Sequence, residues 1–124
     1  MKVIETKTAP AAIGPYSQAI ITGNLLYVSG QTPLCPQSGE LVGSTVAEQT
    51  EQVVNNIKAI LEAAGTSISK VVKTTCFLID MKDFAEFNGV YEKHFVSKPA
   101  RSTVAVKGLP RNAMVEVETI AELD

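Results

Sequence analysis

Two kinds of charged side chain stand where they could act on a small anionic molecule. Arg101 lies at the entry to the alternating segment Ser102–Lys107. A guanidinium held at a strand end can bind a carboxylate or a phosphate through two parallel hydrogen bonds. Glu116 and Glu118 are two residues apart, so they share one face of a predicted strand. A carboxylate whose pKa is raised in a cleft can activate water or move a proton.

Each of these signals also has a commoner structural explanation. An isolated arginine beside a sheet is usually solvated, and charged residues that alternate with apolar ones usually mark the polar face of a strand. The period of two places Thr103 on the same face as Arg101. Spacing alone therefore predicts candidate residues and leaves their role open.

Four further residues could line a pocket. Tyr16 follows the turn pair Gly14–Pro15 and combines an apolar ring with a polar tip, although a core aromatic with its hydroxyl at the rim fits equally. Ser29 and Gly30 are small residues at the end of a predicted strand. Their size would allow a ligand to approach the backbone closely, although a simple β-bulge explains them equally. Asn88 lies on the apolar stripe of a predicted helix, where a buried amide needs partners in a site or as a structural tie.

The histidine and the two cysteines give little indication of metal or thiol chemistry. The single His94 and the two distant cysteines do not form a zinc set. Cys35 lies in a proline-containing loop and Cys76 in a predicted core strand, and neither has a basic neighbour that would activate it. His94 stands near the end of a predicted helix, where a cation is favoured, and we interpret it as structural. The sequence predicts no metal and no cofactor.

Two amphipathic helices should carry and position these residues. The capping-box pattern Thr45–Glu48 predicts a helix over about 46–64, which Gly65 ends. Its apolar stripe consists of Val46, Val53, Ile57, Ile60 and Ala64. A second helix begins near Asp83 and ends before Pro99 at the latest. Its apolar stripe consists of Phe84, Phe87, Tyr91 and Phe95.

The strands are short. Five are predicted, the first two flanking a Gly23-Asn24 hairpin turn: Ser17–Thr22, Leu25–Gly30, Val71–Ile79, Ser102–Lys107 and Met114–Ala121. A sixth is expected between the hairpin and the first helix. This order predicts an α+β fold, a six-stranded mixed sheet with both helices on one face. The other face, with Val104 and Val106 or Thr103 and Ala105 depending on register, would then suit contact with another copy.

The composition limits the class of protein and the partners that the chain can have. The chain has 124 residues, of which 45% are hydrophobic and 19% charged, which predicts one globular domain over 1–124. A net charge of −2 and eleven scattered basic residues argue against a nucleic-acid binder. No apolar stretch is long enough for a signal peptide or a membrane span. We therefore predict a cytoplasmic protein with reduced thiols and no membrane partner.

Several ordered motifs together resemble the RidA (YjgF) family of small enamine/imine deaminases along the whole chain. They are Ala11–Ala19, Val28–Gln31, Gly39–Gly43, Gln49–Thr50, Asn55–Asn56, Asp83–Phe84, Phe87–Asn88, Tyr91, Phe95, Pro99–Val104, Leu109–Pro110 and Val115–Glu118. The resemblance implies a chorismate-mutase-like α+β fold. It also implies a homotrimer whose sheets form an inner barrel, with a site in each cleft between subunits.

By position, Arg101 resembles the family's carboxylate-binding arginine and Glu116 its water- or proton-handling carboxylate. Pocket residues are implied at Tyr16, Ser29, Gly30, Asn88 and Thr103, some of them from the adjacent subunit. Thr103 stands where many deaminating members carry a cysteine, and the Val96–Lys98 segment is shorter than in many members.

The activity that the resemblance implies is hydrolysis of short 2-imino acids, such as 2-iminopropanoate and 2-iminobutanoate, to 2-oxo acids and ammonia. These imines leave pyridoxal-phosphate enzymes, and their hydrolysis requires no cofactor. Two alternatives stay open: an endoribonuclease or translation inhibitor, and a non-enzymatic carboxylate-binding or chaperone-like trimer. The second alternative would keep Arg101 but would not need Glu116.

Overall fold

The first helix, α1, spans Val46–Ala63 in the computed structural model, which describes residues 1–124. The predicted capping box is present: the Thr45 hydroxyl accepts from the Glu48 amide at 3.2 Å, and the Glu48 carboxylate accepts from the Thr45 amide at 3.2 Å. Gly65 has a φ of 83° just beyond the helix, as expected of a left-handed terminator. Both predicted ends of this helix are thus confirmed to within one residue.

The second helix, α2, spans Phe84–His94 and follows a short 3-10 turn at Met81–Asp83. Phe87 and Tyr91 are buried on its inner side, and Phe95 is buried just beyond its end. Both helices pack against the same side of the sheet. Neither helix is long and apolar enough to cross a membrane. α2 connects two neighbouring parallel strands, which is the crossover that parallel pairing requires.

Six strands form one mixed sheet. They are β1 (Lys2–Ile4), β2 (Ala19–Thr22), β3 (Leu25–Gln31), β4 (Val71–Leu78), β5 (Ala100–Ala105) and β6 (Val115–Glu122). Their order across the sheet is β1-β2-β3-β6-β4-β5. Only β4 and β5 pair in parallel; every other pair is antiparallel. The predicted α+β class, with two helices on one face of a six-stranded mixed sheet, is confirmed.

The position of the sixth strand was wrong. It lies at the N-terminus, over Lys2–Ile4, whereas the segment between the hairpin and α1 contributes only an isolated bridge between Leu34 and Leu41. Three residues are too few to show an alternating pattern in the sequence. β1 forms through backbone hydrogen bonds to β2, with which it pairs antiparallel. The strand predicted over Ser102–Lys107 in fact begins at Ala100, so Arg101 lies inside it. Pairing with β4 sets that boundary.

The sheet has two chemically different faces. The helix face carries the buried residues of the central strands, including Thr74, Cys76, Leu78, Val115, Val117 and Thr119. The opposite side, which we call the open face, carries Lys73, Thr75, Phe77, Glu116 and Glu118, and no element of the chain covers it. Tyr27 and Val104 are therefore 42% and 46% exposed. Of the two registers left open by the sequence, the structure adopts the one with Val104 on the open face.

Candidate active site

Arg101 lies on the helix face of the edge strand β5, directly across from Thr74 of β4. Its Nη1 donates a hydrogen bond to Asn88 Oδ1 at 2.7 Å. Its guanidinium carbon lies 4.7 Å from the ring centroid of Tyr91 and 5.4 Å from that of Phe84. No ion pair of the chain includes Arg101. The guanidinium is thus oriented by neutral groups and keeps its charge for a ligand.

A cavity of about 580 Å³ opens beside this arginine, a volume suited to a small molecule. Its lining consists of Asn88, Tyr91, Glu92, Phe95, Val96, Lys98, Pro99 and Arg101. The short Val96–Lys98 segment forms one wall. The Ser97 hydroxyl ties this segment to the Val71 carbonyl at 2.7 Å, and Lys98 has a φ of 52°. The segment is therefore a constrained turn that shapes the cavity.

Thr103 is two residues beyond Arg101 on the same face of β5, as the spacing predicts. Its Oγ1 is buried and has no hydrogen-bond partner in the chain. A buried hydroxyl without a partner is costly, and a ligand or a neighbouring chain that bonds to it removes that cost. The structure thus places Thr103 on the same face as Arg101, but not among the residues that line the cavity.

Glu116 lies on the open face of β6, opposite Phe77 of β4. Burial raises the pKa of its carboxyl group, and the nearby negative charge of Glu118 adds to the increase. The carboxylate packs onto Gly30, in the irregular stretch of β3 between Val28 and Gln31. A Cβ at position 30 would collide with Glu116 Oε2. Gly30 thus makes the space that the carboxylate occupies.

Tyr16 and Ser29 lie on the same side of the sheet as Glu116. The Ser29 hydroxyl donates to the Ser17 carbonyl at 2.5 Å, which ties β3 to the segment that carries Tyr16. Tyr16 itself is 55% exposed. A second cavity, of about 550 Å³, opens here on the open face. Tyr16, Ser29, Tyr27, Lys73, Thr75 and Glu118 are among its lining residues.

The predicted site residues therefore form two groups on opposite sides of one sheet. The helix-face group consists of Asn88, Arg101 and Thr103, and the open-face group of Tyr16, Ser29, Gly30 and Glu116. A single chain does not bring Arg101 and Glu116 together, because the sheet itself separates them. β5, which carries Arg101, is an edge strand, and nothing in the chain covers the open face. A site that uses both groups needs two copies of the chain.

Phe84 and Tyr91, whose rings lie beside the guanidinium, are predicted from the sequence as members of an apolar stripe and not as site residues. They stand four residues before and three residues after Asn88, so all three share one side of α2. That spacing was visible in the sequence. What the sequence did not show is that β5 runs beneath this side of the helix, because the contact depends on the parallel β4–β5 pair.

The histidine and the cysteines lie apart from both groups of site residues. His94 ends α2 and contacts Glu51 of α1 through Nε2 at 2.5 Å and Lys58 through Nδ1 at 3.2 Å, which fits the structural interpretation. Burial raises the pKa of Cys76. Hydrogen bonds from Ser38 and Gln37 lower the pKa of Cys35, an effect of its loop that the absence of a basic neighbour did not predict. No three His, Cys, Asp or Glu side chains are close enough to hold a metal ion.

Comparison with known proteins decides the family. The family model described as Endoribonuclease L-PSP matches residues 6–123. The chain belongs to this family. The same set of proteins includes those named as reactive intermediate deaminases, so it is the RidA family of the sequence analysis.

Individual relatives of the RidA family carry different functional names. A Lactococcus lactis protein named as a regulator, AldR, is 54% identical over 124 residues, which cover 99% of this chain and 98% of that protein. The mouse 2-iminobutanoate/2-iminopropanoate deaminase is 50% identical over 97% of this chain and 90% of its own length. The crystal structure of Escherichia coli TdcF with bound serine superposes with a TM-score of 0.94 at 42% identity, covering all of both chains.

Proposed function

We propose that this protein hydrolyses short 2-imino acids, such as 2-iminopropanoate and 2-iminobutanoate, to 2-oxo acids and ammonia. It would thereby remove reactive intermediates released by pyridoxal-phosphate enzymes. The observation that carries the proposal is the Arg101 guanidinium, which neutral groups orient beside a small cavity and which no carboxylate of the chain neutralises. A 2-imino acid offers the carboxylate that such a group binds.

The chemistry needs one anchor and one group that handles protons. Arg101 binds the substrate carboxylate, and Glu116 takes a proton from a water molecule as its oxygen attacks the imine carbon. Attack on the protonated imine forms a carbinolamine, whose nitrogen then takes the proton held by Glu116. The C–N bond breaks and releases ammonia as the hydroxyl oxygen forms the C=O bond of the 2-oxo acid, and Glu116 takes the hydroxyl proton and passes it to water. Imine hydrolysis proceeds in water unaided. Positioning and one acid/base group, which contributes on the order of 10²–10⁴-fold, are therefore sufficient.

The raised pKa of Glu116 supports this role. A half-buried carboxyl group whose pKa lies above its usual value is a stronger base than a solvated one, and it holds the proton it must later return. Gly30 admits the carboxylate to its place on β3, so the position is built into the fold. Thr103, Asn88, Tyr16 and Ser29 are proposed to line the site around these two groups.

We also propose that the active unit is a homotrimer with each site between two subunits. The support is the separation of the two groups by the sheet, the edge position of β5 and the uncovered apolar residues of the open face. In such an assembly, Arg101 of one subunit faces Glu116 of the next. The acting unit is one domain over 1–124, with a small imino acid as its partner. Its cytoplasmic location remains a prediction from the sequence.

The test is a coupled assay. A threonine dehydratase generates 2-iminobutanoate in situ, semicarbazide competes for the imine, and formation of 2-oxobutanoate is followed with and without this protein. We expect a catalytic increase. Arg101→Ala should lower kcat/KM about 100-fold or more, because two charged hydrogen bonds are lost. Glu116→Gln should lower kcat by about 100-fold while carboxylate binding persists.

The chain offers matched controls for both variants. Arg111→Ala removes the other arginine, which is exposed in the β5–β6 connection, and Glu122→Gln removes an exposed carboxylate further along β6. Both should retain wild-type turnover. Unchanged turnover in Glu116→Gln would remove that residue from the mechanism. No turnover in the wild type, with 2-oxobutanoate still bound, would favour the non-enzymatic carboxylate-binding alternative.

A further inference from the structure

We propose that Tyr91 is a positioning residue that holds the Arg101 guanidinium in the orientation needed to bind a substrate carboxylate. The inference deepens the proposed function and rests on its assignment of Arg101 as the carboxylate anchor. The spacing of Tyr91 predicts only that it packs on the apolar stripe of α2, and the names of the relatives give it no role at the site.

Two contacts fix the Tyr91 ring under the arginine. Its hydroxyl forms a 2.7 Å hydrogen bond with Thr74 Oγ1, and both residues are buried. Thr74 is the register partner of Arg101 across the parallel β4–β5 pair, so this bond secures α2 to the sheet next to the arginine. Phe95 stacks on the ring with centroids 4.3 Å apart. The ring therefore has little freedom to move, and the guanidinium carbon lies 4.7 Å above its centroid.

The electrostatics of the contact suit a binding arginine. The negative face of an aromatic ring attracts a guanidinium without neutralising it, whereas a carboxylate in the same place would compete with the substrate. Burial raises the pKa of Tyr91, so its hydroxyl stays protonated and uncharged beside the arginine. Asn88 completes the arrangement with a neutral oxygen. The arginine is therefore restrained before substrate arrives, which lowers the entropy lost on binding.

The test separates the ring from its hydroxyl and from general packing. Tyr91→Leu removes the aromatic face, and Tyr91→Phe keeps it but loses the bond to Thr74. Phe87→Leu is the matched control, because Phe87 is a fully buried aromatic residue of the same helix that contacts Tyr91 and not Arg101. The probe is 2-oxobutanoate, whose Kd is measured by isothermal titration calorimetry on the intact protein. Binding of this product does not depend on turnover.

We expect Tyr91→Leu to weaken 2-oxobutanoate binding about tenfold, and Tyr91→Phe to weaken it only about threefold, because the ring remains while its bond to Thr74 is lost. Phe87→Leu should leave the Kd unchanged. In the imine assay, Tyr91→Leu should raise KM with little change in kcat, which is the signature of lost substrate binding. The Arg101 side-chain N–H resonances give a readout that packing alone would not alter. Ring currents should shift them upfield in wild type and in Tyr91→Phe, and less in Tyr91→Leu.

Four results would overturn the proposal: wild-type affinity in Tyr91→Leu, equal losses in Tyr91→Leu and Phe87→Leu, equal losses in Tyr91→Leu and Tyr91→Phe, or no 2-oxobutanoate binding in the wild type. Failure of the proposed function looks different. A wild-type protein that binds 2-oxobutanoate but hydrolyses no imine would contradict the deaminase activity and would leave the Tyr91 test fully readable.

Discussion

At the scale of single residues, the contact between Gly30 and Glu116 links sequence to chemistry most directly. A side chain at position 30 would occupy the space of the Glu116 carboxylate. The carboxylate in turn lies half-buried with a raised pKa, a position that costs stability and that suits a group proposed to exchange protons. This pair is therefore where stability and the proposed activity conflict.

Gly30→Ala tests that contact. The added methyl group meets the flexible end of Glu116, which can move aside, so we expect a stability loss of only about 1 kcal/mol. Turnover should fall about 100-fold, because the displaced carboxylate no longer faces the reacting water. Imine turnover and urea denaturation of the same preparation measure both effects. A variant with full turnover would show that the position of Glu116 does not matter.

Glu116→Gln tests the cost of the buried charge through pH. Since the folded-state pKa lies above the reference value of 4.5, the fold prefers the protonated form, and this contribution is present at low pH. It is lost as pH rises through the folded pKa. The Tm advantage of Glu116→Gln over wild type should therefore be small below about pH 4.5, grow as the pH rises and then level off.

The control for this pH series is Glu122→Gln, an exposed position on the same strand. Its Tm should run parallel to that of wild type across the whole range. A Glu116→Gln advantage that shrinks as pH rises would mean that the carboxylate is stabilised in its charged form, contrary to the structure.

At the scale of elements, α2 determines the helix-face group. It supplies Asn88 to the Arg101 Nη1 and the two aromatic rings beside the guanidinium. The helix has only 11 residues and contains Gly89, a weak helix former. Its stability therefore comes mainly from the burial of Phe87, Tyr91 and Phe95 against the sheet.

Gly89→Ala should strengthen this element. Gly89 is exposed, a Cβ there would meet nothing within 4 Å, and its φ is not positive. We expect a gain of about 0.5–1 kcal/mol in the free energy of unfolding, because alanine loses less backbone entropy than glycine in a helix. Denaturant unfolding measures it. Gly23→Ala, at a φ of 59° in the hairpin turn, should instead destabilise the protein.

At the scale of the whole molecule, the question is how two groups on opposite faces of a sheet can act together. The helix-face group lies at an edge strand, and the open-face group lies on a surface that the chain leaves uncovered. A closed homo-oligomer brings such surfaces together, because each subunit can present its edge to the face of the next. The assembly would then be a condition of activity and not only of stability.

Subunit complementation tests this directly. Arg101→Ala and Glu116→Gln are each expected to be inactive, yet a mixed trimer contains an interface where an intact Arg101 faces an intact Glu116. Each mixed trimer that carries both tags then has one intact site out of three, so its activity should reach about one third of the wild-type value, provided that each site takes one residue from each neighbour. Co-expression with two affinity tags, purification through both, and the imine assay give the measurement.

The control mixes Arg101→Ala with the Arg101→Ala/Glu116→Gln double variant. No subunit of this mixture carries Arg101, so the mixed assemblies should stay inactive. Mixed assemblies as inactive as their parents would show that the two residues do not act across an interface. A monomeric mass by light scattering would contradict the intersubunit site altogether.

Much of the fold followed from local patterns. The capping box at Thr45–Glu48, the hairpin at Gly23-Asn24 and the apolar stripes of both helices depend on interactions within a few residues. They predicted α1 and the start of α2 to within one residue, whereas Pro99 set only an upper limit for the end of α2, which lies at His94. The layer arrangement followed from these helices. The sharing of one face by Arg101 and Thr103, and by Glu116 and Glu118, followed from the strand period alone.

The sequence by itself determined both helices, five of the six strands, the sharing of faces along each of those strands, and the family to which the chain belongs. Only the tertiary structure decided which face each strand turns toward the helices, that β1 joins the sheet at all, and that Arg101 and Glu116 lie on opposite sides of it. The physical reason is that strand pairing and register are long-range. A shift of one residue moves every side chain of a strand to the other face, and only packing against distant elements selects between the two.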